Sequence, residues 1–156
     1  MNADKRGFLR GFVTELIGLK YREVADVTLG VFYDVYNELG FGFLESVYRE
    51  AMCLALTQKR LEIEKEVAIP VYFRGRKISE FRCDLLVNRC LILELKAIKV
   101  IDSVCEAQTL NYLRATEIEV ALLLNFGPKP TFRRLVFENS RKQIRENPRS
   151  SAAGVS

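Results

Sequence analysis

The stretch FRCDLLVNRCLILELKA, residues 81–97, constrains this chain more than any other. Two apolar runs flank Asn88-Arg89 and read as a β-hairpin, yet they carry Asp84, Glu94 and Lys96, residue types that strands disfavour. Side chains alternate along a strand, so Phe81, Cys83, Leu85 and Val87 are expected on one face, with Arg82, Asp84 and Leu86 on the other. On the partner strand Leu91, Leu93 and Leu95 point one way, and Cys90, Ile92, Glu94 and Lys96 the other. A two-residue turn at 88–89 sets Asp84 opposite residue 93 and beside Glu94. Glu94 and Lys96, two residues apart, project from one face roughly 6.6 Å from each other. One hairpin thus gathers two carboxylates and an ammonium at one point. A sheet with one wetted face would carry the same three residues as solvated side chains, so the pattern needs context.

With 156 residues and 49% hydrophobic content, the chain is long enough for one domain with a real core. No window approaches the ~18 consecutive apolar residues of a membrane span. The N-terminus, MNADKRGFLRGF, has charges where a secretory signal carries its apolar region, so a soluble cytoplasmic protein is expected. Cys53, Cys83, Cys90 and Cys105 form no CxxC pair and are expected as free, mostly buried thiols. Histidine is absent. That excludes Ser-His-Asp and Cys-His catalysis and the HExxH zinc sites, leaving carboxylates, lysine, tyrosine or a hard metal held by oxygen.

Charge is uneven along the chain. Residues 1–126 hold 17 basic and 18 acidic residues, a net of −1, whereas residues 127–156 hold 7 and 2, a net of +5. The basic segment (Arg133, Arg134, Arg141, Lys142, Arg145, Arg149) is either a phosphate-binding surface or a solvated tail. Residues 1–20 read as an arm or short helix, 21–138 as the folded domain, and 139–156, ending NPRSSAAGVS, as a basic, disordered tail.

From Tyr21, a helical period at Val24, Val27, Val31, Val35 and Leu39 stops at Gly40. A second helix is expected from Phe43 to Arg60, then strands at 63–73, 78–87 and 90–96. A helix over 102–115, a buried strand at 120–126 and a strand or short helix at 132–138 complete the order. Pro70 argues for an edge or bulge in the first strand. The strand at 120–126 returns after a helix and should lie parallel to its neighbour. The expected fold class is α/β, one mixed sheet with helices packed on it.

Two further segments bear on the charged hairpin. In GFLESVYREAMCLAL, the helical wheel places Glu45 in a stripe with Tyr48, Met52 and Leu56, where a carboxylate needs a cation or donor. In CEAQTLNYLRAT, Gln108 and Tyr112 share a helix face with Cys105. Glu45, Asp84 and Glu94 together would make an all-oxygen cluster suited to Mg²⁺ or Mn²⁺. A metal beside a lysine suits hydrolysis of phosphoryl groups. Glu45 solvated at the stripe's edge, and Gln108 and Tyr112 as packing residues, remain the ordinary alternatives.

GFGFLESVYREA, with Gly42, Glu45 and Tyr48, resembles the signature of the GxxExxY proteins, a bacterial family of the PD-(D/E)XK nuclease superfamily. The resemblance continues through DLLV, LILELKA, AQTLNYLRAT and LLLNFG, over residues 21 to 138. It implies a restriction-endonuclease-like core, with Asp84 and Glu94 as metal ligands, Lys96 as catalytic lysine and Glu45 as a helix-borne acidic ligand. Gln108, with Tyr112 beside it, matches the motif on the helix that follows the core strands. A Mg²⁺- or Mn²⁺-dependent nuclease acting on DNA, or else RNA, is implied, with homodimer formation left open. The alternative is a weak or inactive nuclease-fold module that binds nucleic acid or a partner. The chain departs from the family at Tyr36 and Cys105, where members often have histidine. It also has Glu66 where they have glutamine, and Phe41 where they have proline.

Overall fold

Every residue of VALLLNF, Val120–Phe126, is buried, and an unbroken apolar run of this kind demands cover on both faces of a sheet. The computed structural model describes the backbone of residues 2–142 and the side chains of residues 21–142, and it supplies that cover. Five strands lie in the order β1 (Ile63–Phe73), β2 (Arg76–Val87), β3 (Leu91–Lys96), β4 (Val120–Phe126) and β5 (Pro130–Val136). Helices α1 (Asn2–Leu39) and α2 (Glu45–Gln58) pack on one face and α3 (Ser103–Arg114) on the other. Only the β3–β4 pair is parallel, Leu91 to Lys96 facing Val120 to Asn125. This is the expected α/β architecture, with α3 as the crossover that a parallel pair requires. Residues 132–138 contribute a strand, not a helix.

The larger core joins Phe32, Val35, Tyr48, Met52 and Leu56 to Leu85, Leu93, Leu122 and Phe126. Tyr48 stacks on Phe126 at 4.2 Å between ring centres, and Phe32 meets the same ring edge-on at 4.9 Å. The Tyr48 hydroxyl donates to the Gly40 carbonyl at 2.6 Å and accepts from the Phe43 N–H at 3.3 Å. The tyrosine of the GxxExxY pattern therefore fastens the α1–α2 corner to the core. Gly42 in that corner has φ 112°, a conformation side chains rarely adopt.

Three expectations change. The buried face of α1 is Ala25, Thr28, Phe32 and Val35, with Val31 beside them, while Val27 and Leu39 are exposed, so the helix is rotated from the valine stripe. Phe32 takes this place by meeting the Phe126 ring edge-on at 4.9 Å. The β2–β3 register is Leu85↔Leu93 and Val87↔Leu91, one residue from the two-residue turn, because Cys90 joins Asn88 and Arg89 in the loop. Asn88 and Arg89 both have positive φ, 48° and 53°. Strict alternation in β2 also fails. Phe81 and Cys83 pack with Tyr112 and Leu113, whereas Leu85 and Val87 pack with the α1–α2 core, so the strand changes face at Asp84. Opposite it, Glu66 drops out of the β1–β2 ladder with φ 51°.

The β3–α3 loop is clasped by one side chain. Asn125, fully buried, accepts from the Ile98 N–H at 3.0 Å and donates to the Ile98 carbonyl at 2.9 Å. A Cβ on Gly127 would overlap that same carbonyl oxygen, so only glycine fits there. Asn125→Ala should therefore cost about 2–4 kcal/mol, because both Ile98 backbone groups lose a partner. Urea unfolding of the variant checks this; a loss under about 0.5 kcal/mol would show the clasp to be slack.

Candidate active site

The β2–β3 ladder stops at Leu85↔Leu93. Beyond it side chains replace backbone partners. The Asp84 N–H donates to Glu94 Oε1 at 3.0 Å, and the Leu95 N–H donates to Asp84 Oδ2 at 2.8 Å. Each carboxylate caps a backbone donor of the hairpin, Glu94 across the fork on β2 and Asp84 across it on β3. The one-residue register change is what sets Asp84 level with Glu94.

Glu94 is only 5% exposed. Burial, and next the neighbouring Asp84 charge, push its carboxyl up to about 8, against smaller pulls from the Asp84 N–H and Lys96. Tyr112, buried on α3, is pushed up to about 12 by burial and then by Glu94 and Asp84; Cys83 likewise rises to about 12, by burial and then Glu94. Both stay protonated at neutral pH. Tyr112 thus belongs to the carboxylates' surroundings, its ring 5.4 Å from that of Phe81.

A cation already touches the pair. Arg49 of α2 places Nη1 3.5 Å from Asp84 Oδ1 and Nη2 3.4 Å from Glu66 Oε1, while its buried Nε has no hydrogen-bond partner. The guanidinium is suspended between two carboxylates at long range. Lys96, half-buried at the end of β3, faces Asn125 across the parallel pair, so the Ile98 clasp fixes the chain two residues beyond it.

The remaining residues named from sequence divide. Glu45 is the first residue of α2 and is exposed, not in the buried stripe of Tyr48, Met52 and Leu56. Among the described residues, no three carboxylates or thiols converge as a metal-ligand group, so Asp84 and Glu94 stand as a pair without Glu45. Gln108 is exposed on α3. Cys105 lies in the first turn of α3, where its N–H donates to the capping Asp102 carboxylate at 2.9 Å. Partial burial and then Asp102 raise its thiol, with Lys96 opposing, so it is near the lysine but poorly ionised. Tyr36 donates from its hydroxyl to the Gly127 and Pro128 carbonyls at 2.7 and 2.9 Å.

The basic C-terminal segment is also changed. Arg133 bonds Glu106 at 3.1 Å, Arg141 lies over the Phe137 ring, and Lys142 donates to the Thr116 and Ile118 carbonyls at 3.0 and 2.7 Å. Arg141 and Lys142 thus serve packing at a 3₁₀ turn, Asn139–Arg141, which carries the fold past residue 138, whereas Arg134 is exposed on β5. Arg145, Arg149 and the rest of residues 143–156 lie outside the described residues. Sequence reasoning missed Arg49 and Asn125. Asn125 had a signal, the one polar residue in VALLLNF; Arg49 had none, since its partners lie 17 and 35 positions away.

The mixed five-stranded sheet flanked by helices is a restriction-endonuclease-like fold, and the carboxylate pair and Lys96 lie on its central strands. The family model of the PD-(D/E)XK nuclease superfamily matches residues 22–135, and the chain belongs to that superfamily. No curated protein matches. Among solved structures, the crystal structure of SSO0001 is similar at 14% identity with a TM-score of 0.49. That similarity covers 69% of this chain, which spans 57% of the length of that protein.

Glu94 gives a pH test. A carboxyl that titrates near 8 when folded, against about 4.5 in an unfolded chain, binds more protons in the native state between those values. Its stabilising effect is complete below about 4.5 and lost as pH rises through about 8. In chelator, thermal midpoints should therefore fall between pH 5 and pH 8, and Glu94→Gln should flatten that fall. A wild-type midpoint that rises over this range would contradict the buried-pair geometry.

Proposed function

We propose that this protein is a nuclease that hydrolyses phosphodiester bonds in DNA, or alternatively RNA, with Asp84, Glu94 and Lys96 at its centre. The observation carrying this reading is the fork between β2 and β3, where Asp84 and Glu94 are held side by side by backbone N–H groups. The match of GFGFLESVYREA to the GxxExxY pattern supports the narrower family assignment.

The pair fits a hard divalent cation. Its donors are all oxygen, and the raised Glu94 carboxyl marks more negative charge than the buried site holds comfortably. Asp84 and Glu94 would hold Mg²⁺ or Mn²⁺ together with water molecules, and Glu45 is proposed as a third acidic group that joins when substrate is present. When bound, the cation supplies Lewis-acid polarisation of the phosphate and an acidified water. Lys96 stabilises negative charge on the phosphate as the bond breaks. Tyr112, kept protonated, donates a hydrogen bond and carries no charge of its own. Gln108, on the exposed face of α3, orients the approaching strand.

Arg49 competes for the same carboxylate. Metal entry has to loosen its contact with Asp84, so Arg49→Gln should tighten Mg²⁺ binding several-fold by calorimetry, whereas Asp84→Asn should weaken it severely. Identical affinities in wild type and both variants would remove the metal from this site. Lys96→Ala should lower single-turnover cleavage about 10²–10³-fold with nucleic-acid affinity nearly unchanged. Cleavage at the wild-type rate would make Lys96 a packing residue.

A second reading, a nuclease-fold module that binds without cutting, is favoured by one observation. Cys105 stands near Lys96 as a thiol whose ionisation is suppressed, so it offers no ready proton carrier there. The same single-turnover assay separates the two.

A further inference from the structure

The strongest uncommitted surface is the outer part of the β1–β2 hairpin. β3 pairs with β2 only over Leu85–Val87, so Arg76–Cys83 ladders with β1 alone. Phe81 and Cys83 still rest on α3 through Tyr112 and Leu113. Beyond them, residues 72–80 are all exposed. The two strands run out as a solvated ribbon and close at Arg74-Gly75, both with positive φ, the turn geometry that matches strand twist. A two-stranded ribbon with both faces in water gains little from its own packing.

Its composition points outward too. Tyr72, Phe73 and Ile78 are 42%, 57% and 62% exposed. Within 72–82 the basic residues are Arg74, Arg76, Lys77 and Arg82, against Glu80 alone. Lys77 takes up Glu80 at 2.8 Å, which leaves three arginines uncompensated within the ribbon. The Arg74 guanidinium lies 5.0 Å from the centre of the Phe73 ring, a planar cation and an aromatic face presented together. Basic charge interleaved with exposed rings is the chemistry that meets phosphates and bases. Among the described basic C-terminal residues, Arg133 is paired with Glu106 and Arg141 and Lys142 pack on Phe137 and on backbone carbonyls, which leaves exposed Arg134 against three arginines on the ribbon.

Geometry joins it to the site. The ribbon leaves the sheet at Asp84, and its tip lies roughly 30 Å further along the strand, close to the ~34 Å of one duplex turn. We propose that the β1–β2 ribbon is a nucleic-acid-binding wing. Arg74 and Arg76 contact the phosphodiester backbone about one helical turn from the carboxylate pair, Arg82 contacts it close to the pair, and Tyr72 and Phe73 pack against bases or sugars. This rests on the nuclease reading above and adds where the substrate is held. A ribbon of this width also fits a major groove.

The test is fluorescence anisotropy of the full chain with a labelled random-sequence duplex and its single strand, in chelator, across a salt series. Arg74→Gln/Arg76→Gln should weaken binding tenfold or more and make the slope of log K against log salt shallower by about 1.8 for duplex. Arg74→Lys/Arg76→Lys should keep the wild-type slope. Tyr72→Ala/Phe73→Ala distinguishes the sources: a loss confined to the single strand assigns the rings to unpaired bases, an equal loss on both to groove packing, and either supports the wing. If wild type binds and the glutamine variant, with an unchanged thermal midpoint, binds as tightly with the same slope, the wing is overturned and the nuclease reading stands. If wild type binds neither probe, both fall. If the variant's only change is from dimer to monomer in sedimentation, the ribbon pairs copies of this chain and the proposal is likewise overturned.

Discussion

The fork between β2 and β3 is the constraint from which the site follows. Where a ladder would continue, the Asp84 and Leu95 N–H groups would be left unpaired inside the protein, and buried donors without partners are costly. Glu94 and Asp84 supply the missing acceptors, each across the gap. Backbone satisfaction thus forces two carboxylates together inside the protein, and burial first, then the Asp84 charge, makes Glu94 hold its proton to about 8. The same bonds that close the fold create an affinity for positive charge. Arg49 meets part of it with one long hydrogen bond to Asp84, at 3.5 Å.

Much of this was legible in the sequence, because hairpins are local. Asp84, Glu94 and Lys96 lie within 13 residues, and period-two alternation with a turn brings them together whatever surrounds them. The error was one residue of register, and it came from Cys90 entering the loop, a choice made by the positive φ of Asn88 and Arg89. The exposure of Glu45 was hidden for a different reason. Helical periodicity places a residue on a face but not at a depth, and as the first residue of α2 it projects past the core that buries Tyr48. The face change of β2 at Asp84 was invisible, since it arises from the paired irregularity at Glu66 on another strand. Arg49 was equally hidden, because nothing local distinguishes a guanidinium that reaches β1 and β2 from one in solvent.

The position of Lys96 depends on residues far from it in sequence. Tyr36 of α1 donates to the Gly127 and Pro128 carbonyls, fixing the turn after β4. Gly127 packs so closely that no side chain fits between it and the Ile98 carbonyl. Asn125 then holds both backbone groups of Ile98, two residues past Lys96. Tyrosine at position 36 therefore has a sufficient reason in the fold: a neutral hydroxyl aimed at two carbonyls. Cys105, in the first turn of α3, is held differently. Its neighbours, Asp102 and Lys96, pull its ionisation in opposite directions, and burial decides in favour of the thiol. Tyr36 thus belongs to the scaffold that steadies Lys96, whereas Cys105 stays a protonated thiol at the start of α3.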